Sequence, residues 1–298
     1  MKIRNHSKIC IIVSLCIFAL AIILSLTGNG INLGIDFAGG MSMQYNMGAS
    51  YDEADIRTAM SDIGFSDCTV TRQGDGSEVI VRIKSINEDG VQGLQAAFEN
   101  ALKEKYPNMT QTGDVNYVGP VAGATLVRNA ILSVLIASVL MLIYIAIRFD
   151  FNSGLAAVIG LLHDVAMMLS FMVLLRSIIQ MNSSFIAAML TIVGYSINNT
   201  IVIFDRIREN ARKMPTTDKV DVVNLSISQS LGRTILTTLT TLITIVALYI
   251  LGGSSIKEFA LPIIIGILSG VYSANMINGY VWAMLEKAKA NRKNGKKK

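Results

Sequence analysis

Two ionisable side chains lie next to each other in a segment that is otherwise apolar. His163 and Asp164 interrupt the run Gly154–Leu175, and a rise of about 1.5 Å per residue places them near its middle. In hydrocarbon, a carboxyl and an imidazole group must pair, lose their charge or reach water. The pair is therefore either a structural contact between helices or a proton or ion relay, and its depth favours the relay.

A second polar group interrupts the run Phe185–Phe204. Five residues in this run and just after it share one helical face by spacing: Tyr195, Asn198, Asn199, Val202 and Arg206. Asn199 lies about 9 Å from the charged end at Asp205, at a depth close to that of His163, so the two faces could meet. Because an asparagine amide cannot release a proton, a hydrogen bond between helices is the favoured interpretation of Asn199, with a row of waters as the alternative.

Threonines form a stripe in a third apolar run, and Thr237 and Thr241 are its central members. Their hydroxyls can bond to their own backbone, or they can form a polar lining beside the run that holds Asn199. Further on, small residues at Gly266, Gly270 and Ala274 are typical of close helix packing.

The segments that carry these residues identify the class of protein. Of 298 residues, 52% are hydrophobic and 16% charged, and the mean hydropathy is +0.50, as expected for a membrane protein. Six runs are long enough to span a bilayer: Ile9–Leu26, Leu126–Ile147, Gly154–Leu175, Phe185–Phe204, Thr234–Leu251 and Phe259–Leu285. No clear cleavage site follows the first run, which we interpret as an uncleaved anchor.

Basic residues predict the orientation of the spans. They cluster at the N-terminus, between spans four and five, and in the tail 286–298, whereas the short loops on the other side carry only Arg176 and Lys257. By the positive-inside rule both termini are cytoplasmic and residues 28–125 face outward. The tail Lys287–Lys298 is better explained as a topology signal that contacts anionic lipid than as a nucleic-acid site.

Residues 28–125 have the pattern of a small soluble domain. Predicted strands cover 42–47, 69–72, 78–84 and 114–118, and predicted helices cover 50–64, with Ser50 as the N-cap, and 88–106. Gly74-Asp75-Gly76 predicts a hairpin turn. The order β-α-β-β-α-β is that of a ferredoxin-like split unit. The division is thus 1–27 for the N-terminus and first span, 28–125 for this domain, 126–285 for spans two to six, and 286–298 for the tail.

Few residues suit catalysis, a metal or a cofactor. Cys10, Cys16 and Cys68 are scattered, which gives neither a disulfide framework nor metal-ligand spacing. Two histidines, no phosphate-binding loop and no Ser-His-Asp arrangement disfavour an enzyme. We predict no cofactor and no metal.

Five motifs, in order along nearly the whole chain, resemble those of the SecD/SecF family of Sec protein-export subunits, within the resistance-nodulation-division superfamily. They are Leu33–Gly40, Val118–Gly123, Arg148-Phe149-Asp150, Leu162–Val165 and Gly194–Glu209. The resemblance is to the SecF members of the family. It implies an α-helical membrane protein of six transmembrane helices with one small α+β (ferredoxin-like) external domain, in the bacterial cell (inner or cytoplasmic) membrane.

The resemblance also implies partners and roles. Such a subunit pairs with SecD, associates with the SecYEG channel and in some cases with YidC, and uses an ion gradient to draw preproteins outward. The external domain moves in this scheme, and the expected hinge residues are glycines and their neighbours: Gly34, Asp36, Gly39, Gly40, Gly119, Pro120 and Gly123. The charges expected at the cytoplasmic end are Arg148, Asp205, Arg206 and Arg208.

One departure from the family pattern concerns the relay itself. The family usually has Asp where this chain has Asn199, and that Asp is taken as its ion-carrying carboxylate. Either the partner subunit couples to ions, or Asp164 with His163 does, or coupling is weak. Ala38 also replaces a common hydroxyl residue. An ion-driven export subunit is the leading hypothesis, and the alternatives are a passive scaffold of the translocase and a small-molecule or lipid half-transporter.

Overall fold

The structure is a computed structural model that describes residues 3–73, 76–84 and 88–295. Its elements, in chain order, are α1 (Ile3–Leu26), α2 (Ile35–Ala38), β1 (Gly40–Asn46), α3 (Glu53–Asp62), β2 (Cys68–Gln73), β3 (Glu78–Lys84), α4 (Glu88–Lys103), β4 (Thr110–Gln111), β5 (Asn116–Val118), α5 (Pro120–Arg148), α6 (Phe151–Leu174), α7 (Ser183–Lys213), α8 (Lys219–Leu251), α9 (Ser254–Ser273), a π-helical turn (Ala274–Asn278) and α10 (Gly279–Gly295).

The six predicted spans are confirmed as six helical segments that are long and apolar enough to cross a membrane, counted over the described residues. The last runs through α9, the π turn and α10 as one segment, Ile256–Arg292. Several helices extend beyond the predicted runs, because their polar ends continue the backbone hydrogen bonding. Asp150, Asn182 and Asp218 cap the N-termini of α6, α7 and α8 with side-chain oxygens.

The helices divide into an inner and an outer set. Half of the apolar stretch of α6 and of α7, and 61% of that of the last span, is buried inside the chain, against 11%, 6% and 11% for α1, α5 and α8. The inner three therefore form the core of the bundle. Polar residues on their facing sides are enclosed by protein.

Residues between α1 and α5 form the predicted α+β domain with an antiparallel sheet. The strand order is β2-β3-β1-β4, and β5 also pairs with β1, as in a split βαβ unit. One face of β1 and β3 packs on α3 and α4 through a core that includes Met43, Tyr45, Val81 and Phe98. The hairpin is confirmed by the pairing Gln73↔Glu78; Gly74 and Asp75 of its predicted turn lie outside the described residues.

Three local predictions for this domain differ from the structure. The N-cap of α3 is Asp52 and not Ser50, because Tyr51 is buried against the sheet and the helix starts only after it. Helix α4 ends at Lys103 rather than residue 106, where the chain turns so that Tyr106 can bond to Asp55. A two-residue strand, β4, precedes the predicted last strand, which is itself shorter than expected.

The domain is attached to the bundle at two places. Backbone hydrogen bonds join the segment before α2 to the α6–α7 loop, with Gly34 N donating to Met181 O at 2.8 Å. On the open face of the sheet, Arg82 Nη2 lies 2.9 Å from Oε1 of Glu258 on α9. Asn182 donates to the other Glu258 oxygen at 2.5 Å. Residues from both parts line a cavity of about 340 Å³ between them.

Candidate functional site

Asp164 is the polar centre of the helix bundle. It is fully buried, and each carboxyl oxygen has two hydrogen-bond partners. Oδ1 is bonded by Ser269 at 2.7 Å and lies 3.0 Å from Nδ1 of His163. Oδ2 accepts from Ser196 at 2.5 Å and from Ser273 at 2.8 Å. Three serine hydroxyls and one imidazole nitrogen thus surround the carboxyl group, so the inner helices supply polar partners where bulk water does not reach.

His163 extends the site to the first helix. Its Nε2 lies 2.8 Å from Ser14 Oγ on α1, which in turn lies 3.2 Å from the Tyr272 hydroxyl on α9. Tyr272 donates to the carbonyl of Cys10, also on α1. The rings of Phe18 and Tyr272 pack against the imidazole. Asp164 is thus connected through one histidine to a helix that is otherwise largely on the outside of the bundle.

Small residues allow the helices to approach this closely. A Cβ atom on Gly270 would lie 3.4 Å from the Ser196 backbone and 3.7 Å from Asp164 Oδ2. One on Gly266 would lie 2.5 Å from Ile192. The predicted small-residue face therefore packs as expected. This close approach also lets Ser269 and Ser273, which are one turn apart, donate hydrogen bonds to Asp164.

The predicted polar face of α7 does not lie in one environment. Asn199 is buried, Asn198 is exposed, and Val202 and Arg206 are half-buried. The sequence predicted that this face could approach His163 and Asp164. Helix α7 does contact Asp164, but through Ser196, one turn before Asn199. Asn199 is not among the hydrogen-bond partners of Asp164. Asn199 Nδ2 has no partner among the described residues.

The threonine stripe of α8 does not reach Asp164. Thr237 and Thr241 donate to carbonyls of their own helix at 2.9 Å and 3.1 Å, which matches the first of the two alternatives for these residues. The hydroxyl that contacts α7 belongs to Thr238, which lies 3.3 Å from the Tyr195 hydroxyl. Tyr195 is therefore joined to α8 rather than to the carboxylate.

The expected hinge residues form a compact junction. Gly39 and Gly40 both have positive φ, +74° and +134°, and a Cβ atom on Gly40 would lie 2.1 Å from the carbonyl oxygen of Ile83. Asp36 accepts from the backbone of Ser183 at 2.8 Å. Gly119 is the N-cap of α5 and Pro120 occupies its first turn. A Cβ atom on Gly123 would lie 3.0 Å from the Phe37 carbonyl oxygen.

The charged residues at the other end of the bundle join helix termini. Arg206 bonds to Gln229 on α8 at 2.7 Å and to Glu209 at 2.5 Å. Arg208 donates to the carbonyl of Arg148 at 3.4 Å, while the Arg148 and Asp205 side chains are exposed. These residues fix helix ends and lie away from Asp164 in sequence and along the helices.

Sequence reasoning missed the hydroxyl groups around Asp164. Ser14, Ser196, Ser269, Ser273 and Tyr272 bond to the pair or to its partners. Their only sequence signal is that Ser196 precedes Asn199 by one turn, and that Ser269 and Ser273 are one turn apart. Over the part of the chain that the structure describes, no group of three or more His, Cys, Asp or Glu side chains is placed to hold a metal.

This architecture defines a multi-pass membrane protein with a polar site inside its helix bundle and an α+β domain between its first two spans. Two family models match the chain: "Protein export membrane protein SecD/SecF, C-terminal" over residues 97–288, and "SecD/SecF GG Motif" over residues 24–47. The chain belongs to the SecD/SecF family of protein-export membrane proteins.

Similar proteins within the family are SecF subunits. The chain is 38% identical to the protein translocase subunit SecF of Thermodesulfovibrio yellowstonii, covering 93% of this chain and 90% of that one. It is 34% identical to SecF of Rickettsia felis, covering 88% and 84%. The crystal structure of SecDF from Thermus thermophilus matches 95% of this chain at a TM-score of 0.82 and 33% identity. The chain spans 38% of that SecDF polypeptide.

Proposed function

We propose that this protein is a Sec export subunit of the SecF type, which uses a transmembrane ion gradient to help draw preproteins outward after ATP-driven translocation. The observation that carries the proposal is Asp164, a fully buried carboxylate with four hydrogen-bond partners in the middle of a membrane helix. Ionisable groups at this depth are costly and mark ion pathways. No catalytic or cofactor chemistry forms part of the proposal.

Protonation of Asp164 changes what its partners must do. A protonated carboxyl becomes a hydrogen-bond donor, so one of the hydroxyls that donate to it must turn and accept. Ser273 has a second acceptor within reach, because its Oγ also lies 3.2 Å from the carbonyl of Gly270. Ser14, which contacts His163 and not Asp164, can also donate to the carbonyl of Cys10 at 3.2 Å. The site can therefore hold both protonation states with small rotations of hydroxyl groups.

The loss of the family carboxylate at Asn199 transfers the relay role in this subunit to Asp164 and His163. His163 lies between the carboxylate and α1, and α1 leads into the glycine-rich junction at the base of the α+β domain. In this scheme, a change in hydrogen bonding at Asp164 is transmitted through His163 to α1, and from α1 to the α+β domain. In this scheme the termini are cytoplasmic and the α+β domain is external, as the distribution of basic residues supports.

Polar groups on the outside of the bundle support a membrane-embedded partner. Thr191, Asn198 and Thr240 are exposed at membrane depth on α7 and α8. The two threonines donate to carbonyls of their own helices, whereas lipid would leave the Asn198 amide without hydrogen bonds. We assign the surface around Asn198 to a SecD-type partner, since the solved SecDF chains are more than twice as long as this one. SecYEG, YidC and the exported preprotein complete the proposed assembly.

The test uses inverted membrane vesicles that contain this protein and its SecD-type partner. A preprotein is stalled partway, ATP is removed, and completion of translocation is followed with and without an imposed proton or sodium gradient. Completion that requires both a gradient and this subunit supports the proposal. Completion that requires the subunit but ignores both gradients would identify a passive scaffold, and a subunit that co-purifies with small apolar molecules instead of translocase components would point to a half-transporter.

A further inference from the structure

A groove lies between the start of α6 and the far part of α10, at the end of the bundle opposite the α+β domain. Its volume is about 660 Å³, within the range of about 300–1,000 Å³ that is usual for small-molecule sites. Its walls are formed on α6 by Phe151 and Leu155, and on α10 by Leu285, Ala288, Lys289 and Arg292. None of these residues bonds to Asp164 or to His163, so the groove is separate from the site inside the bundle.

The groove changes from apolar to cationic along α10. Leu285, Lys289 and Arg292 recur at positions i, i+4 and i+7, so they share one side of the helix, and about 10 Å of rise separates the first from the last. Leu285 packs against the core of the bundle, whereas Lys289 and Arg292 are exposed. The headgroup layer on each side of a bilayer is about 5–8 Å thick. The change in polarity therefore occurs over the distance that separates acyl chains from the water outside the headgroups.

The start of α6 places the groove at this border. Phe151 begins the apolar segment of α6, and it is 75% exposed, so its ring marks the edge of the hydrocarbon. The Asn152 amide donates to Glu286, which aligns the start of α6 with the middle of α10. Arg292 follows Glu286 by six residues, about 9 Å further along the helix and away from the hydrocarbon. The apolar half of the groove thus lies at the level of acyl chains, and the cationic half lies at the level of phosphate groups.

The charges around the groove favour an anionic occupant. Lys289 Nζ is 3.9 Å from Glu286 Oε1, and an exposed pair at such a distance contributes little. Arg292 has no ion-pair partner within the described part of the chain. The Asp150 carboxylate, just before α6, is bonded to the backbone and hydroxyl of Ser153. An Arg guanidinium binds a phosphate group through two parallel hydrogen bonds, whereas the amine of a zwitterionic headgroup would be repelled by the two cations.

We propose that this groove binds one anionic phospholipid, with an acyl chain against Phe151, Leu155 and Leu285 and the phosphate between Lys289 and Arg292. Basic pockets between membrane helices suit such headgroups. A soluble acidic peptide would neutralise the cations but leave the apolar half uncovered. The site also differs from the general attraction between a basic tail and an anionic membrane, which requires no groove and in which all basic residues count alike.

A lipid in this position joins two inner segments of the bundle. Helix α6 carries Asp164, and the last span carries Ser269 and Ser273, which bond to it. The bound lipid contacts both segments at their common end. Neither export nor ion coupling enters the argument, so the lipid site stands or falls independently of the proposed function.

Photo-crosslinking in vesicles tests the proposal. The full-length protein, alone and with its partner subunit, is reconstituted in phosphatidylethanolamine vesicles that contain a small share of phosphatidylglycerol with a photoreactive acyl chain. Both leaflets hold the probe, so the result does not depend on the orientation of the protein. We expect the adducts, located by mass spectrometry, to be concentrated in residues 151–155 and 285–292. Labelling spread evenly over the exposed faces of α1, α5 and α8 would indicate ordinary surrounding lipid and overturn the proposal.

Competition identifies the headgroup and its source. An excess of unlabelled phosphatidylglycerol should lower labelling of the groove several-fold, whereas additional phosphatidylethanolamine, or inorganic phosphate in the buffer, should leave it unchanged. Equal competition by phosphatidylethanolamine would remove the selectivity for an anionic lipid, and displacement by inorganic phosphate would assign the cations to a free anion. Labelling that disappears when the partner subunit is present would assign the groove to a protein contact. Each of these three results would overturn the proposal.

Two double variants separate a defined site from general attraction. Lys289→Gln with Arg292→Gln removes both cations of the groove and should lower its labelling several-fold. Arg212→Gln with Lys213→Gln removes two exposed charges from the end of α7, on the same side of the bundle, and should leave the labelling unchanged. Equal losses in the two variants would overturn the proposal. If a variant fails to fold, competition in the unchanged protein still decides between the outcomes.

Discussion

The Ser196 hydroxyl on α7 donates a 2.5 Å hydrogen bond to Oδ2 of Asp164 on α6. This bond, and not a contact of Asn199, joins the two helices at the centre of the bundle. Asn199 is one turn further along α7 and leaves its amide nitrogen without a partner on the described residues. The position where the family usually has its carboxylate is therefore next to, and separate from, the carboxylate that this chain retains.

The first prediction concerns Asp164 itself. Asp164→Asn keeps the size of the side chain but removes the group that changes its proton content, so we expect loss of gradient-stimulated export with the complex still assembled. The measurement is completion of a stalled preprotein in inverted vesicles, together with co-purification of the partner subunit. Ser170→Ala is the matched control, because this buried serine on the same helix bonds only to the carbonyl of Ala166 among the described residues. Normal gradient stimulation in Asp164→Asn would refute the relay.

A second prediction concerns Asn199, where the resemblance to the family implies an Asp. Asn199→Asp places a carboxyl at a site that is 3% exposed, where it can ionise only if water reaches it. Where water reaches position 199, we expect export to become more strongly dependent on the gradient. The vesicle assay across a series of gradients measures this dependence. An unchanged dependence would show that position 199 no longer takes part in coupling.

The glycine pair at the base of the α+β domain gives a third prediction. In Gly40→Ala, the methyl group would lie 2.1 Å from the Ile83 carbonyl oxygen at a φ of +134°. We expect local destabilisation of about 3 kcal/mol or more, measured as faster amide hydrogen exchange in β1 and β3. Gly93→Ala, in exposed helical backbone with open space around it, should be neutral or stabilising by up to about 1 kcal/mol. Equal effects of the two changes would contradict the close-packing argument.

A fourth prediction tests the contact between the domain and the bundle. Arg82 and Glu258 are only 12% and 16% exposed, whereas the pair Arg72–Glu53 is 45% and 43% exposed at 3.9 Å. A double-mutant cycle with Arg82→Gln and Glu258→Gln should give a coupling energy of about 1–3 kcal/mol. The same cycle on the exposed pair should give about 0.5 kcal/mol or less. Hydrogen exchange at Gly34 and Met181, which are bonded across the junction, measures the first cycle, and exchange in β2, the strand that carries Arg72, measures the second.

The fifth prediction is a pH dependence within the α+β domain. Hydrogen bonds from Lys105 at 2.5 Å and Tyr106 at 2.6 Å lower the pKa of Asp55 below its ordinary value of 3.8. A lowered folded-state pKa contributes stability above the unfolded pKa that is lost as the pH falls through the folded value. Asp55→Asn should therefore destabilise the domain at neutral pH, and the difference should shrink below about pH 4. Asp62→Asn, at the exposed end of the same helix, is the control; a difference that persists at low pH would contradict the assignment.

The sequence predicted the six spans and the order of the α+β domain, because length, hydropathy and turn residues act locally. It also located His163 and Asp164, since a charge in an apolar run is visible without a fold. It did not predict the partners of Asp164. Serine in a helix usually bonds to its own backbone, as Ser170 does, and only helix packing determines that Ser196, Ser269 and Ser273 turn to the carboxylate.

Asn199 illustrates the same limit. Spacing placed it on a face with Asn198, yet adjacent residues on a helix are about 100° apart, and in the folded bundle Asn199 is buried while Asn198 is exposed. The threonines of α8 were ambiguous for a related reason. The hydroxyls of Thr237 and Thr241 donate to backbone carbonyls of α8 itself. No local sequence pattern distinguishes these two threonines from Thr238, which contacts Tyr195.

The hydrogen bond between His163 and Ser14 has a consequence for forces on the protein. Helix α1 receives this bond in its middle and ends at Leu26, and only eight residues separate it from α2, which the glycine pair follows directly. Coupling between two sites is reciprocal. If protonation of the buried pair shifts α1 and the attached domain, then a mechanical load on that domain must change the proton affinity of the pair by the same free energy. A preprotein that resists extraction would in this way alter how readily the next proton binds.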